Sequence, residues 1–153
     1  MGWEMEVLYV ANSDKPSLEE APLGATRVAL DEGLPRADFV CLSVPLNEST
    51  HHLMDARRIG LMKSSAVLVN VARGPVVDEA ALVAALRSHQ IFAAGLDVFE
   101  KEPELQAGLR ELPNVVLLPH LGSATVEDRH WVVEMAVENV SAALGNEVPP
   151  NLV

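Results

Sequence analysis

Three residue types that together can perform acid–base chemistry follow strand-like stretches of this sequence. Arg73, Glu102 and His120 each lie a few residues after an apolar stretch, and Asp97 ends one. In open α/β sheets, ligands and catalytic groups gather at the carboxyl ends of the strands. An arginine holds a carboxylate through two parallel hydrogen bonds, and a histidine beside a carboxylate exchanges a proton near neutral pH. The pattern therefore predicts a site that binds a carboxylate-bearing substrate and moves a proton.

Composition argues against several classes of partner and location. The chain has 153 residues and a formal net charge of -11, which argues against binding to nucleic acid or to anionic membrane surfaces. No stretch is apolar enough for a membrane helix, and no Cys/His spacing suggests a zinc site. The N-terminus is neither basic nor apolar, and the single cysteine, Cys41, cannot form an internal disulfide, so a cytoplasmic protein is expected. Cys41 lies in an apolar stretch and is expected to be buried.

Short apolar stretches alternate with helical patterns along the chain. This alternation predicts an α/β fold with a doubly wound parallel sheet, and continuous runs of Val, Leu and Ala predict strands buried on both faces. The predicted strands cover residues 6–10, 26–28, 38–44, 66–70, 93–97 and 115–118. Helices are predicted over residues 55–62, over residues 79–87 with Asp78 as N-cap, and from Thr125 to a stop at Gly145.

Several short segments, in a fixed order, resemble the D-isomer-specific 2-hydroxyacid dehydrogenases, with glyoxylate and hydroxypyruvate reductases as the nearest likeness. The segments include SVPL (43–46), LMK (61–63), NVARG (70–74), GLDVF (95–99), EP (102–103), LPNV (112–115) and PHLGS (119–123). Any one of them alone would be weak, and a single Arg or His would more often be a solvated or structural residue. Their shared order across about residues 7–143 makes a chance match very improbable.

The resemblance implies an incomplete Rossmann-like fold. Family members are about twice as long and carry a G-x-G-x-x-G turn after their first Rossmann strand. This sequence contains no such motif, and its first predicted strand resembles the family's second. Residues 1–124 are therefore expected to form part of an NAD(P)-binding domain. Residues 125–153 are expected to form a C-terminal helix and tail that packs toward the substrate domain in full-length members, which are expected to be homodimers.

The resemblance also assigns roles to individual residues. The family reaction is a reversible hydride transfer between a nicotinamide cofactor and a 2-oxo acid. His120 resembles the acid/base, Glu102 its carboxylate partner, and Arg73 the arginine that binds the substrate carboxylate. The cofactor-binding positions implied by the resemblance are Arg73, Pro45, Val71, Asp97, Gly122, Asn12 and Ser13.

Cofactor choice depends on the end of the first predicted strand. Users of NAD commonly place an acidic residue there for the ribose diol, whereas users of NADP have a basic or small residue. The aligned position is Ala11, followed by Asn12 and Ser13, and this favours NADP. Asp14 lies close by and no arginine stands at Asn12, so NAD remains the alternative.

Two functional interpretations from different classes stay open. The first is the fragment of an oxidoreductase that reduces a small 2-oxo acid. The second is a non-catalytic module of the same fold, either a pseudoenzyme or an oligomerisation unit, which the absence of the glycine motif favours. Among the other histidines, His51 and His52 lie in a polar loop and are expected at the surface. His89 stands just past a helix end where the family commonly has glycine, and a left-handed backbone is expected there.

Overall fold

The computed structural model describes residues 4–152. The chain divides into two compact units, one ending at Leu118 and one beginning at Pro119. The predicted domain boundary after residue 124 stays a prediction.

The first unit contains two parallel sheets. A small sheet pairs β1 with β2, and a larger sheet has the order β3-β4-β5-β6 with every neighbouring pair parallel. The α/β class and the parallel sheet predicted from the sequence are confirmed, and each strand is shorter than its prediction. The strands are β1 (Leu8–Tyr9), β2 (Thr26–Arg27), β3 (Phe39–Leu42), β4 (Val67–Asn70), β5 (Ala93–Leu96) and β6 (Val115–Leu117).

Helices connect most of the strands in the first unit, and local capping explains where the longer helices begin. The helices are α1 (Pro16–Glu19), α2 (Leu30–Gly33), α3 (Ala56–Ile59), α4 (Glu79–Arg87) and, in the second unit, α5 (Val126–Leu144). The Asp78 side chain accepts a hydrogen bond from the Ala81 amide, so α4 begins as predicted. The Thr125 hydroxyl caps α5 through the Asp128 amide. The predicted helix over residues 55–62 is only four residues long; it ends at Ile59, with Gly60 as its C-cap.

The core of the first unit lies on one face of the larger sheet. Leu68 and Leu96 point into it from β4 and β5, and Leu82 and Leu86 cover them from α4; Leu68, Leu82 and Leu86 are fully buried and Leu96 nearly so. The stripe Leu82–Leu86, spaced one helical turn, explains why α4 packs there.

The opposite face of the larger sheet corrects two expectations. Phe39 is 59% exposed and Val116 is 62% exposed, so the strands are not buried on both faces. Cys41 is exposed as well, not buried as its apolar neighbours suggested. The physical reason is strand alternation: Leu42 points to the core, so its neighbour Cys41 points the other way.

Candidate active site

The turn that carries Arg73 is shaped by the side chain of Asn70 at the end of β4. Asn70 is 1% exposed; its Oδ1 accepts from the Ala72 amide at 3.0 Å, and its Nδ2 donates to the Arg73 carbonyl at 3.0 Å. These two bonds hold the chain in a fixed turn directly after the strand. The Arg73 guanidinium is exposed and donates from Nη1 to the Ala72 carbonyl at 2.6 Å. Arg73 is therefore presented to solvent at the carboxyl edge of the sheet.

Gly74 lets this turn pack against the backbone that follows β5. A Cβ atom at Gly74 would lie 1.9 Å from the Phe99 carbonyl carbon and 2.3 Å from the Glu100 nitrogen. Only glycine fits, because the clashing atoms are backbone atoms that cannot rotate away. The loops that carry Arg73 and Glu102 are therefore held in direct backbone contact.

A carboxylate pair and a histidine join three loops at this edge. The Glu100 amide donates to Glu79 Oε1 at 2.9 Å, and the Glu79 amide donates to Glu100 Oε1 at 3.2 Å. His52 Nε2 lies 2.8 Å from the same Glu100 oxygen, and the His52 amide donates to the Pro75 carbonyl at 2.7 Å. The His52 side chain is 37% exposed and His51 is exposed, so both lie at the surface as expected, and His52 is also part of the supporting network. The loops after β3, β4 and β5 form one connected structure.

Burial changes the acidity of one member of this network. Glu79 is 2% exposed, and this burial raises the pKa of its carboxyl; the nearby Glu100 carboxylate raises it further, against hydrogen bonds from the backbone of Glu100 and Gln106 that lower it. The neutral form of Glu79 is therefore favoured relative to an exposed glutamate.

Asp97 and Glu102 follow β5 at the same edge. Asp97 is 6% exposed, and its amide donates to the Asn70 carbonyl at 3.0 Å, which places it beside the end of β4. Glu102 lies at the surface, where its Oε1 accepts from the Phe99 amide at 3.0 Å. This bond turns the loop back on itself and fixes one oxygen of the Glu102 carboxylate. The structure thus brings Arg73, Asp97 and the Glu102 loop to one edge, as the sequence predicted for Arg73 and Asp97.

The predicted cofactor-selecting loop lies at the carboxyl end of β1. Asn12 and Ser13 are exposed there. Arg27, at the end of β2, contacts this loop through Ala11 and Asp14. No local sequence pattern connects Arg27 with this loop, because sixteen residues separate it from Ala11.

His120 and Gly122 belong to the second unit. Both are exposed, and His120 has φ = 55°, in the left-handed region that non-glycine residues rarely adopt. Strained backbone of this kind clusters at functional sites. His120 follows β6 by three residues along the chain. Its assembly with Arg73 and Glu102 stays a prediction.

Sequence reasoning missed the residues that support the site. Asn70 carried a usable signal, because a buried asparagine at a strand end commonly bonds the backbone two residues later. Glu79 and Glu100 carried no such signal, since their pairing spans 21 residues.

Among residues 4–152 there is no group of three His, Cys, Asp or Glu residues arranged to hold a metal ion. In the same part of the chain, no helix is both long and apolar enough to span a membrane.

Comparison with known proteins decides the family. The profile described as "D-isomer specific 2-hydroxyacid dehydrogenase, NAD binding domain" matches residues 1–122. The chain belongs to this family. It is 52% identical over 153 residues to glyoxylate/hydroxypyruvate reductase B of Citrobacter koseri, a match that covers 99% of this chain and 47% of the relative. It is 49% identical over 152 residues to glyoxylate reductase of Thermococcus onnurineus, covering 45% of that protein. The chain spans about half the length of the curated relatives it matches.

A solved structure agrees with this family membership. A D-isomer specific 2-hydroxyacid dehydrogenase of Polaromonas sp. JS6 66 superposes with a TM-score of 0.90 at 34% identity, covering 99% of this chain and 47% of that one. An NADPH-dependent glyoxylate/hydroxypyruvate reductase of Sinorhizobium meliloti, solved with NADP and malonate, gives 0.84 at 36% identity, covering 92% and 43%.

The carboxyl edge of the first unit has a donor set that fits a nicotinamide cofactor. Val71, directly after β4, is 55% exposed, and Pro45, three residues after β3, is exposed too. They present apolar surface at this edge, and the buried Asp97 lies beside the end of β4. Thr50 donates to the Pro45 carbonyl at 2.6 Å and holds that loop in place. Apolar and carboxylate groups of this kind are compatible with the nicotinamide end of a dinucleotide, and the cofactor-binding roles of Pro45, Val71 and Asp97 stay predictions.

Proposed function

We propose that this chain is the cofactor-binding and acid–base half of an oxidoreductase that acts on small 2-oxo acids of the glyoxylate and hydroxypyruvate type. The observation that carries the proposal is the backbone contact at Gly74, which holds the loop of Arg73 against the loop of Glu102. An arginine and a carboxylate held on neighbouring strand ends are the groups needed to bind a 2-oxo acid and to support a proton donor. The names of the matched relatives add to this argument.

Each residue has one role in the proposed mechanism. Arg73 binds the substrate carboxylate through two parallel hydrogen bonds and polarises the adjacent carbonyl. The nicotinamide cofactor, when bound, supplies the hydride that adds to the carbonyl carbon. His120 donates a proton to the carbonyl oxygen, so the product is a 2-hydroxy acid, and Glu102 orients the His120 ring. Asp97 hydrogen-bonds the carboxamide of the cofactor, and Pro45 and Val71 line the nicotinamide ring. Gly122 has no side chain and so permits close approach of the cofactor near His120.

The finer assignments belong to the same proposal. Residues 1–124 form the cofactor-binding part and residues 125–153 the C-terminal helix and tail. Asn12 and Ser13 face the adenosine ribose, and NADP is the preferred cofactor because no acidic residue stands at Ala11. The complete enzyme is a homodimer, as the family resemblance implies. It is cytoplasmic, because a single cysteine fits a reducing compartment.

A chimaeric enzyme tests the function. The part of the Citrobacter koseri relative that lies outside the matched region is fused ahead of this chain, and oxidation of NADPH and NADH is followed with glyoxylate and hydroxypyruvate. We expect reduction of both substrates. We expect His120→Ala to lower kcat by about 10²–10⁴-fold, the usual contribution of general acid catalysis.

His89→Ala is the matched control, because His89 is also exposed and also has φ = 55°. It should leave kcat unchanged. A folded chimaera that binds cofactor yet reduces neither substrate would refute the enzymatic proposal and support the non-catalytic module. Full turnover by His120→Ala would refute the assigned proton donor.

A further inference from the structure

The loop after β1 is held at both ends by neighbouring side chains. Arg27 donates to the Ala11 carbonyl from Nε at 3.2 Å and from Nη2 at 2.8 Å, and its Nη1 lies 2.5 Å from Asp14 Oδ1. At the other end, the Lys15 amide donates to the Tyr9 hydroxyl at 2.9 Å, and that hydroxyl donates to the Glu19 carboxylate. The guanidinium therefore has a fixed position at the carboxyl edge of β1 and β2.

The two bonds to Ala11 and the one bond to Asp14 differ in kind. The bonds to the Ala11 carbonyl are made to the backbone of the loop after β1, whereas the bond to Asp14 is made to a side chain. The Asp14 side chain is 70% exposed and can rotate into solvent, whereas the Arg27 side chain is 38% exposed. Arg27 is thus the stationary partner and Asp14 the displaceable one.

The strength of such a pair decides what can displace Asp14. Solvent-exposed ion pairs contribute only about 0–1 kcal/mol, because water screens the charges and the side chains lose freedom. A phosphate carries more charge than a carboxylate and offers three acceptor oxygens to a planar guanidinium. A phosphate that reaches this loop would therefore replace the Asp14 carboxylate on Arg27.

In dinucleotide-binding folds, the end of the strand that corresponds to β1 faces the 2′ position of the adenosine ribose. Resting on the proposed function, we propose that Arg27 is the residue that selects NADP(H) here, by binding the 2′-phosphate, and that Asp14 is its built-in competitor. The selectivity for NADP(H) over NAD(H) then comes from Arg27 on β2, the strand beside β1, because no arginine stands at Asn12 in the loop after β1. The affinity for the 2′-phosphate is moderated by the Asp14 carboxylate, which must leave before the phosphate binds.

Nucleotide fragments test this assignment on the 153-residue chain itself. Adenosine 2′,5′-bisphosphate and adenosine 5′-monophosphate are titrated into labelled protein, and the Arg27 Nε–H signal is followed by NMR. We expect the bisphosphate to bind about tenfold more tightly, as one added charge-assisted contact provides. Arg27→Gln should abolish that difference, and Asp14→Asn should tighten bisphosphate binding by about threefold, since it removes a weak competing ion pair.

Arg36→Gln is the matched control, because Arg36 forms a similar exposed ion pair with Glu6 at 2.8 Å. It should leave the ratio of the two affinities unchanged. Equal affinities for the two nucleotides in the unmodified chain would overturn the proposal. A preference for the bisphosphate that survives Arg27→Gln and disappears in Lys15→Gln would also overturn the proposal, because Lys15 would then bind the phosphate. An Asp14→Asn variant that loses affinity for the monophosphate would overturn it as well, since Asp14 would then bind the ribose diol.

The chimaeric enzyme separates this inference from the proposed function. Binding of NADPH and NADH is measured by fluorescence, without substrate. The inference is supported if the chimaera prefers NADPH, if Arg27→Gln removes this preference and if His120→Ala retains it. This holds even when the chimaera reduces no 2-oxo acid. An active chimaera whose cofactor preference ignores Arg27→Gln overturns the inference and leaves the proposed function standing.

Discussion

The backbone amides of Glu79 and Glu100 each donate a hydrogen bond to the side chain of the other residue, at 3.2 Å and 2.9 Å. This reciprocal pair joins the start of α4 to the loop after β5. Because the same loop continues to Glu102, the pair supports the carboxylate that we place in the proposed active site. Glu79 is the buried member of the pair, and His52 contacts Glu100.

Glu79→Gln should make the stability of the chain less dependent on pH. Burial raises the pKa of Glu79, so the folded chain binds its proton more tightly than the unfolded chain does. Stability is therefore lost as pH rises from the ordinary glutamate pKa through the raised one. Glutamine keeps an oxygen for the Glu100 amide and cannot titrate. We expect the free energy of unfolding of the variant to rise relative to that of the wild type as pH rises towards 8. Urea unfolding across a pH series measures this difference.

The control for this prediction is Glu104→Gln, which removes an exposed carboxylate from the neighbouring loop. It should leave the slope of stability against pH unaltered. A Glu79→Gln variant with the wild-type slope would show that burial does not govern this carboxyl.

Gly74→Ala should destabilise the first unit strongly. The new Cβ would lie 1.9 Å from the Phe99 carbonyl carbon, so the two loops must separate. Overpacking typically costs about 1–3 kcal/mol, and a clash with backbone belongs at the upper end. Gly95→Ala is the control, because its Cβ would meet only Val69 Cγ2, at 3.9 Å. Equal midpoints of urea unfolding for the two variants would contradict the contact.

His89→Gly should stabilise the chain. His89 follows α4 with φ = 55°, as expected from its position; its amide donates to the Leu86 carbonyl, and the Gln90 amide donates to the Ala85 carbonyl at 2.8 Å. This pair of bonds closes the helix with a left-handed residue, which glycine adopts without steric cost. We expect a gain of about 1 kcal/mol. His89→Ala keeps the Cβ and should show no gain; a gain shared by both variants would point to the imidazole instead.

Arg73→Lys should weaken substrate binding in the chimaeric enzyme. An ammonium group cannot reproduce the two-point grip of a guanidinium on a carboxylate, whereas the charge is retained. We expect KM for glyoxylate to rise about tenfold or more, since charge-assisted bonds of this kind contribute about 1.5–3 kcal/mol. Arg110→Lys, at an exposed position in the turn Leu109–Glu111, is the control. An unchanged KM would remove Arg73 from the substrate site.

Local chemistry explains how much of this protein could be predicted without a structure. Helix α4 has the predicted bounds because its cap, Asp78, bonds an amide only three residues away. The strands were found because continuous apolar stretches are typical of strands in parallel sheets, although the strand ends depend on a neighbouring strand and the strands are shorter than predicted. The family motifs predicted roles for Arg73 and Asp97; the structure places both residues at one edge of the sheet, and their roles stay predictions.

Tertiary structure decided the contacts between residues distant in the chain. The apolar neighbours of Cys41 predicted burial, but only the folded structure shows that the face of β3 that carries Cys41 is exposed. Likewise, the partners of Glu79 and Arg27 lie 21 and 16 residues away, and no periodic pattern records them. Sequence determines what a segment can form locally, because capping and alternation act over a few residues. The partner of a charged group is decided only when folding brings separate strand ends together.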